Sequence, residues 1–133
     1  MVRDNFTKMK KIIVFGAFDS LHKGHENFLK QAKELGYLIV VVSHNDKIRL
    51  EKNRQPREEG EIRRQKVEDL EVADEVIVGD SGRTFEILDR IKPDIIALGY
   101  DQIIPEPLKN KVKQYKIITL KPFKPEKYKS SKM

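Results

Sequence analysis

The chain has 133 residues, of which 38% are hydrophobic and 36% are charged, and it contains no cysteine. This length predicts a single domain over residues 1–133, and the absence of cysteine excludes disulfides, thiolate catalysis and cysteine-ligated metals. No apolar run approaches the roughly 18 residues of a membrane span and no secretory signal pattern opens the chain, so we expect a cytoplasmic protein.

The net charge of +6 is unevenly distributed along the chain. Residues 108–133 hold nine lysines and one glutamate, whereas residues 1–107 carry 18 basic and 20 acidic side chains. We expect the last part of this segment, a basic tail over residues 121–133, to close over an anionic small molecule. The alternative is a solvated tail without a ligand. Nucleic acid is the less favoured partner, because no recognised nucleic-acid-binding module accompanies the charge.

Predicted strands and helices alternate along the chain. β-branched apolar runs indicate buried strands, apolar residues spaced by three and four indicate helices, and Gly36 and Pro93 mark helix ends. The alternation predicts a doubly wound α/β fold with a five-stranded parallel sheet, a Rossmann-like architecture. In chain order we predict an extension over residues 1–8, a strand over 10–16, a helix over 24–35, a strand over 37–44, a polar mobile loop over 45–56, a helix over 62–72, a strand over 74–79, a helix over 85–91, a strand over 94–99, a short helix over 106–115 and a strand over 116–120.

Two motifs follow predicted strands at their carboxyl ends. "GAFDSLHKGH" (residues 16–25) follows the first strand, and "GYDQ" (residues 99–102) follows the fourth. Doubly wound sheets bind ligands at this edge, at the point where the strand order reverses. If the first and fourth strands are neighbours across that point, both motifs line one crevice.

The first motif has the composition of a phosphate site. Gly16 permits a tight turn, and the helix that begins near Gly24 directs unpaired backbone N–H groups and a positive dipole end toward that turn. His22 and His25 lie in its first turn, where each imidazole can donate to phosphate oxygens, and Lys23 adds charge. Zinc is the weaker interpretation, because only one other histidine exists in the chain.

The stretch "GAFDSLHKGHENFLKQAKELG" resembles the nucleotidyltransferases of the cytidylyltransferase-like superfamily, whose hallmark is G-x-F-D-x-x-H-x-G-H. The resemblance continues through "LIVVVSHND", "ADEVIVG", "KPDIIALGYDQ" and "KSSKM". "LGYDQ" and the SSK ending look most like the archaeal FAD synthetases, which transfer AMP from ATP to FMN. Two features depart from the family pattern: Ala17 stands where Thr or Ser is usual, and the chain stops at Met133, where relatives often continue.

The resemblance implies roles at matching positions. His22, His25 and Lys23 would act in catalysis by binding and stabilising phosphates. Asp19 would either brace the turn or contact ligand, Arg63 would contact phosphate or be a surface helix charge, and Lys52 would contact phosphate or be merely solvated. The positions implied to bind nucleotide are Gly16, Ala17, Phe18, Gly24, Asp101, Tyr128, Ser130 and Ser131, and those implied to contact phosphate are Lys52 and Arg63.

Three functions remain open at this stage. The favoured one is AMP transfer from ATP to FMN, with Mg²⁺ or another divalent cation carried by the triphosphate and no dedicated metal site in the protein. Glu71 supports it, because the glycerol-phosphate branch often has Arg there and a carboxylate would repel a phosphate. The alternatives are cytidylyl or adenylyl transfer to glycerol-3-phosphate, a heptose phosphate or phosphopantetheine, and non-catalytic binding of a nucleotide or RNA. We also expect no membrane partner and allow for a homodimer.

Overall fold

A computed structural model describes residues 9–45, 53, 55, 58–79, 84–100, 102 and 113–121. Strands and helices alternate within these ranges, as the apolar patterns predict. The strands are β1 (Lys11–Gly16), β2 (Tyr37–Val42), β3 (Glu75–Val78), β4 (Ile95–Leu98) and β5 (Lys116–Thr119), and the helices are α1 (Lys23–Lys33), α2 (Gly60–Asp69) and α3 (Thr84–Ile91).

The five strands form one parallel sheet in the order β3-β2-β1-β4-β5. The strand order reverses between β1 and β4, which pair directly through Ile12 with Ile95 and Ile13 with Ile96. The predicted doubly wound fold is therefore confirmed, and the two strands that carry the motifs are neighbours at the switch point.

Helices cover both faces of the sheet, because alternate strand residues point to opposite sides. On one face, Leu29 of α1 and Val67 of α2 pack with the even-numbered β1 residues. On the other, Ile87 and Leu88 of α3 pack against Ile13 and its neighbours. Full burial of an aliphatic side chain of this size contributes about 1.5–3 kcal/mol, so the two layers account for the continuous apolar runs in the sequence.

The turn between α1 and β2 requires the glycine that the sequence places there. A Cβ atom on Gly36 would lie 2.3 Å from the carbonyl oxygen of Lys10, which is closer than any side chain can approach. Tyr37 then donates its N–H to the same carbonyl at 2.8 Å, so β2 begins directly beside β1.

The predicted extension over residues 1–8 lies outside the described residues, as do the tail beyond residue 121 and most of two other predicted segments. Only residues 113–115 of the short helix predicted over 106–115 are described, and they form a turn. Only residues 45, 53 and 55 of the loop predicted over 45–56 are described, so its expected mobility stays a prediction. Across the described ranges, no helix combines the length and apolar character needed to cross a bilayer.

Candidate active site

The loop that joins β1 to α1 is built on two residues with left-handed backbone. Phe18 has a φ of 51° and Ser20 a φ of 67°, conformations that non-glycine residues adopt at a cost of about 1–3 kcal/mol each. The Phe18 ring is buried and folds back over Gly16, where an added Cβ would lie 2.7 Å from the ring. Gly16 thus leaves room for the Phe18 ring, and contact between Gly16 and a nucleotide stays a prediction.

The two histidines form a reciprocal cap at the start of α1. His22 is the N-cap residue, and its Nδ1 accepts a hydrogen bond from the Gly24 N–H at 3.0 Å. The Nδ1 of His25 in turn accepts from the His22 N–H at 3.3 Å. The arrangement is a capping box in which imidazoles replace the usual hydroxyl and carboxylate.

This cap fixes which ring nitrogen carries the proton in each neutral imidazole. A ring nitrogen that accepts a hydrogen bond cannot also bear the proton, so the proton of both rings resides on Nε2. The rings of His22 and His25 are stacked, with centroids 3.8 Å apart and planes inclined by 23°. The stacked rings therefore present two Nε2–H groups at the amino end of a helix, where donors are suited to phosphate oxygens.

The histidine pair is anchored to the core on one side and open to solvent on the other. The buried Phe18 ring meets His25 edge to face, with centroids 5.5 Å apart, whereas His22 is exposed. A Cβ on Gly24 would lie 2.8 Å from Cε1 of His22, so the glycine leaves room for that ring. Lys23 is exposed in the first turn, where its charge can reach an anion.

Arg63 is a buried residue of α2, so the interpretation of it as a surface helix charge is wrong. Its side chain is fully buried, and its guanidinium donates to Ala17 O and Ser43 O at 2.9 and 2.8 Å, to Glu58 O at 2.9 Å, and to Asn45 Oδ1 at 2.6 Å. Burial lowers the pKa of Arg63, and the nearby carboxylates of Asp19, Glu58 and Glu59 oppose that effect. Direct phosphate contact by Arg63 stays a prediction, with four of its N–H groups already directed at the protein.

Asp19 braces the turn. Its Oδ1 accepts from the backbone N–H of Glu58 at 3.0 Å, and the Glu58 carboxylate accepts from the Ser20 N–H at 3.2 Å and pairs with Lys66. These bonds lower the pKa of Glu58, the Lys66 pairing more than the Ser20 N–H. Contact between Asp19 and a ligand stays a prediction.

The second motif reaches the end of β1 through Gln102. The Gln102 side chain accepts from Gly99 N–H at 2.8 Å and donates to the carbonyl of Phe15 at 2.9 Å. The two motifs therefore meet at the switch point, as predicted. Tyr100, which lies in the second motif between Gly99 and Gln102, is 58% exposed.

Several predicted positions lie outside the described residues, so their roles stay predictions. They are Lys52, Asp101, Tyr128, Ser130 and Ser131, with the tail beyond residue 121. The origin of that tail is described: the Gln31 amide both donates to Lys121 O at 2.9 Å and accepts from Lys121 N–H at 3.1 Å.

From the sequence we expect the Glu71 carboxylate to repel an acceptor phosphate, but the structure places Glu71 at the other edge of the sheet from the β1–α1 loop. It follows α2, with a left-handed φ of 57°, and leads into Asp74, whose N–H donates to the carbonyl of Leu38 at the start of β2. Glu71 is therefore at the amino edge of the parallel sheet, whereas the β1–α1 loop lies at the carboxyl edge. Within one chain its carboxylate is at the wrong edge to repel an acceptor phosphate.

Three residues were missed by reasoning from sequence: Asn45, Glu58 and, in its bridging role, Gln102. Each acts through a partner distant in the chain, such as Arg63 for Asn45 and Ser20 for Glu58. The only signal available was position, because Asn45 and Gln102 each follow the carboxyl end of a predicted strand. No local pattern marks Glu58.

Known proteins resemble this chain over most of its length. The FAD synthase of Thermococcus kodakarensis is 42% identical over 113 residues, covering 83% of this chain and 76% of its own. The FAD synthase of Thermococcus sibiricus is 47% identical over 100 residues, covering 72% of this chain and 68% of its own.

Solved structures agree on the fold. The lipopolysaccharide core biosynthesis protein from Thermoplasma volcanium superimposes with a TM-score of 0.79 at 34% identity, over 86% of this chain and 98% of its own. Pantothenate synthetase from Thermus thermophilus matches with a TM-score of 0.59 at 11% identity, over 91% of this chain and 60% of its own, which shows fold alone. The family model described as cytidylyltransferase-like matches residues 13–132, confirming the resemblance seen in the motifs: the chain belongs to the cytidylyltransferase-like family.

Proposed function

We propose that this protein is an FMN adenylyltransferase, which transfers AMP from ATP to FMN and releases pyrophosphate. The observation that carries the nucleotidyl transfer is the stacked pair of His22 and His25, whose Nε2–H donors lie together at the start of α1. The archaeal relatives named FAD synthase, at 42% and 47% identity, support the choice of ATP and FMN as substrates.

The reaction needs charge stabilisation more than proton transfer. A phosphate oxygen of the acceptor, already anionic at neutral pH, attacks the α-phosphorus of ATP and forms the new P–O bond. The bond from the α-phosphorus to the bridging oxygen breaks, and pyrophosphate leaves with that electron pair. His22 and His25 donate to the phosphate oxygens on which charge accumulates, and the N-terminus of α1 and Lys23 add positive potential.

A divalent cation, Mg²⁺ in this proposal, would neutralise triphosphate charge when bound. Among the described residues, no cluster of three histidine, aspartate or glutamate side chains is arranged to hold a metal ion. We assign the cation to triphosphate oxygens and water, because Mg²⁺ retains water ligands and commonly binds through substrate phosphates.

A second candidate keeps this chemistry and changes the acceptor. The observation that favours it is the 34% identity to a protein described as acting in lipopolysaccharide core biosynthesis, a role different from FAD synthesis. A heptose phosphate is then the acceptor to test first, with glycerol-3-phosphate and phosphopantetheine beside it.

The deciding experiment incubates the protein and Mg²⁺ with ATP or CTP and each acceptor in turn, then measures pyrophosphate and the nucleotide product by mass. We expect FAD and pyrophosphate from ATP and FMN. Pyrophosphate from a sugar phosphate, with no FAD, would select the second candidate. ATP binding without pyrophosphate from any of these pairs would contradict both candidates.

Three further predictions belong to this proposal. The basic tail over residues 121–133 closes over the bound triphosphate, bringing Ser130 and Ser131 to it. The protein acts in the cytoplasm. A homodimer is the oligomeric state that the sequence analysis allows, and light scattering in solution would test it.

A further inference from the structure

Arg63 is the one buried charged side chain among the described residues, and the groups that accept its hydrogen bonds are unusual. Three of its four acceptors are backbone carbonyls, and the fourth is the side-chain amide of Asn45. Burying a charge is costly unless its donors are satisfied, and among the described residues the guanidinium donates to uncharged oxygens and to no carboxylate. These contacts join separate segments of the chain rather than form an ion pair.

The acceptors come from three segments that surround the carboxyl edge of the sheet. Ala17 belongs to the β1–α1 loop, Ser43 and Asn45 follow β2, and Glu58 precedes α2. A planar guanidinium with a fixed fork of donors sets the relative positions of such acceptors more tightly than a flexible ammonium can.

The contact with Ala17 also fixes the direction of a backbone N–H group. The peptide between Ala17 and Phe18 is trans, so its N–H points away from its carbonyl oxygen. Because Arg63 holds that oxygen at 2.9 Å, the N–H of Phe18 is directed away from the buried guanidinium. Phe18 and Ser20 are also the two left-handed residues of the loop, and such conformations persist only where surrounding contacts determine them.

Glu58 fixes the same loop one and two residues further on. Its N–H donates to Asp19 at 3.0 Å, and its carboxylate accepts from the N–H of Ser20 at 3.2 Å. Its carbonyl oxygen accepts from Arg63 at 2.9 Å, so the two residues act on the loop as one unit. Lys66 holds the other carboxylate oxygen.

We propose that Arg63 and Glu58 are positioning residues that hold the β1–α1 loop in its left-handed form, with the Phe18 N–H directed at the triphosphate. This inference rests on the proposed nucleotide site but not on the identity of the acceptor. It assigns Arg63 an action through the loop rather than by touching phosphate.

The first test compares Arg63→Lys with Arg64→Lys, the same substitution one residue along. Lysine keeps the charge at position 63 but lacks the planar fork of donors that reaches acceptors on three segments, whereas the ion pairs of Arg64 with described residues are those with Glu61 and Glu68. A misplacement of about 1 Å can lower a rate on the order of 10²-fold, and we expect a loss of that size in kcat/KM for ATP in Arg63→Lys. Arg64→Lys should stay within about twofold of the parent, the scatter expected for a surface ion pair.

The readout that separates positioning from folding is the amide signal of Phe18 in ¹⁵N-labelled protein. In the parent protein it should shift on addition of ATP with Mg²⁺, and in folded Arg63→Lys that shift should be lost while the KM for the acceptor is unchanged. Parent-like kcat/KM in Arg63→Lys would overturn the proposal. So would a loss that matches the unfolded fraction measured by circular dichroism.

Glu58 gives a second test if Arg63→Lys does not fold. Glu58→Ala removes the acceptor of the Ser20 N–H and should reduce kcat/KM for ATP on the order of 10-fold, whereas Glu58→Gln keeps an oxygen there and should recover most of it. Equal effects of both substitutions would contradict the proposal. ATP binding, followed by calorimetry without acceptor, reports on the loop even if the parent protein makes no FAD, so failure of the proposed function is distinguishable.

Discussion

The two edges of the parallel sheet present opposite backbone groups, and the chain meets them with opposite charges. At the carboxyl edge, where carbonyls protrude, the Arg63 guanidinium binds the carbonyls of Ala17 and Ser43. At the amino edge, where N–H groups protrude, Asp94 accepts from Lys11 N–H at 2.7 Å and Asp74 accepts from Leu38 N–H at 2.8 Å.

The edges differ in burial. Arg63 is fully buried, whereas the Asp94 bond is exposed, and Asp74 also pairs with Lys33 at the surface. The carboxyl edge also carries the proposed nucleotide site, so a lost contact should affect chemistry there, whereas at the amino edge it should affect stability alone. Substitutions at the two edges can test this separation.

The largest effect is expected from His22→Ala and His25→Ala at the carboxyl edge. Each removes a donor whose bond strengthens as phosphate charge develops, which typically lowers the rate by about 10²–10³-fold. His22→Ala also removes the N-cap of α1, at about 1 kcal/mol of stability. Steady-state turnover with ATP and FMN measures the first effect and thermal unfolding the second. Asp94→Asn at the amino edge is the control, and near-normal turnover in both histidine variants would contradict the catalytic assignment.

Gly24→Ala should separate activity from stability within one residue. The new Cβ would lie 2.8 Å from the His22 ring and displace it, so we expect turnover to fall on the order of 10-fold. Alanine favours a helix over glycine by up to about 1 kcal/mol, which offsets the similar cost of displacing the His22 cap, so the melting temperature should change little. Turnover and thermal unfolding measured on the same preparation check this. A loss of both together would mean that the substitution damages α1 itself.

Asp74→Ala should have the reverse profile at the amino edge. It removes the acceptor of the Leu38 N–H, and leaving a partly buried donor unsatisfied costs about 1–3 kcal/mol. Urea unfolding should show that loss, with turnover per folded molecule unchanged. Lys33→Met, which removes only the surface partner of Asp74, is the matched control and should lose at most about 1 kcal/mol.

The smallest effects are expected from pH, with a different sign at each edge. A bond of 2.6 Å to Glu75 raises the pKa of Tyr37 to about 12, so its contribution is complete below pH 10 and is lost as pH rises toward 12. Contact with Lys66 lowers the pKa of Glu58, so its contribution is lost as pH falls below the ordinary carboxyl range. We expect the denaturation midpoint to change less with pH in Tyr37→Phe at alkaline pH, and less in Glu58→Gln at acid pH, than it does in the parent protein. A variant whose pH dependence equals that of the parent would contradict the contribution of that contact.

The sequence was most informative where a signal was local. Continuous β-branched runs predicted β1 and β2, and the helix stop at Gly36 was correct because a Cβ there would meet Lys10. The histidine motif located the loop, but not the stacking of the rings or the nitrogen that carries each proton.

Arg63 and Arg64 show why the burial and partners of individual side chains could not be predicted from the sequence. They are the same residue type side by side in a charged helix, yet one is buried and the other pairs with Glu61 and Glu68. Their difference depends on partners such as Ala17, 46 positions away in the chain. The expectation for Glu71 was wrong for a related reason. The edge of the sheet at which a residue lies depends on strand direction, which comparison of motifs does not show.

The side chain of Gln102 has a consequence for the dimensions of the crevice. Ladder pairing between β1 and β4 is limited to Ile12 with Ile95 and Ile13 with Ile96, and further along the strands Gln102 alone joins Phe15 to Gly99 among the described residues. One glutamine side chain thus connects the two strand ends through both of its amide atoms. Asparagine, which is shorter by a methylene, could keep both hydrogen bonds only if the two strand ends moved closer together.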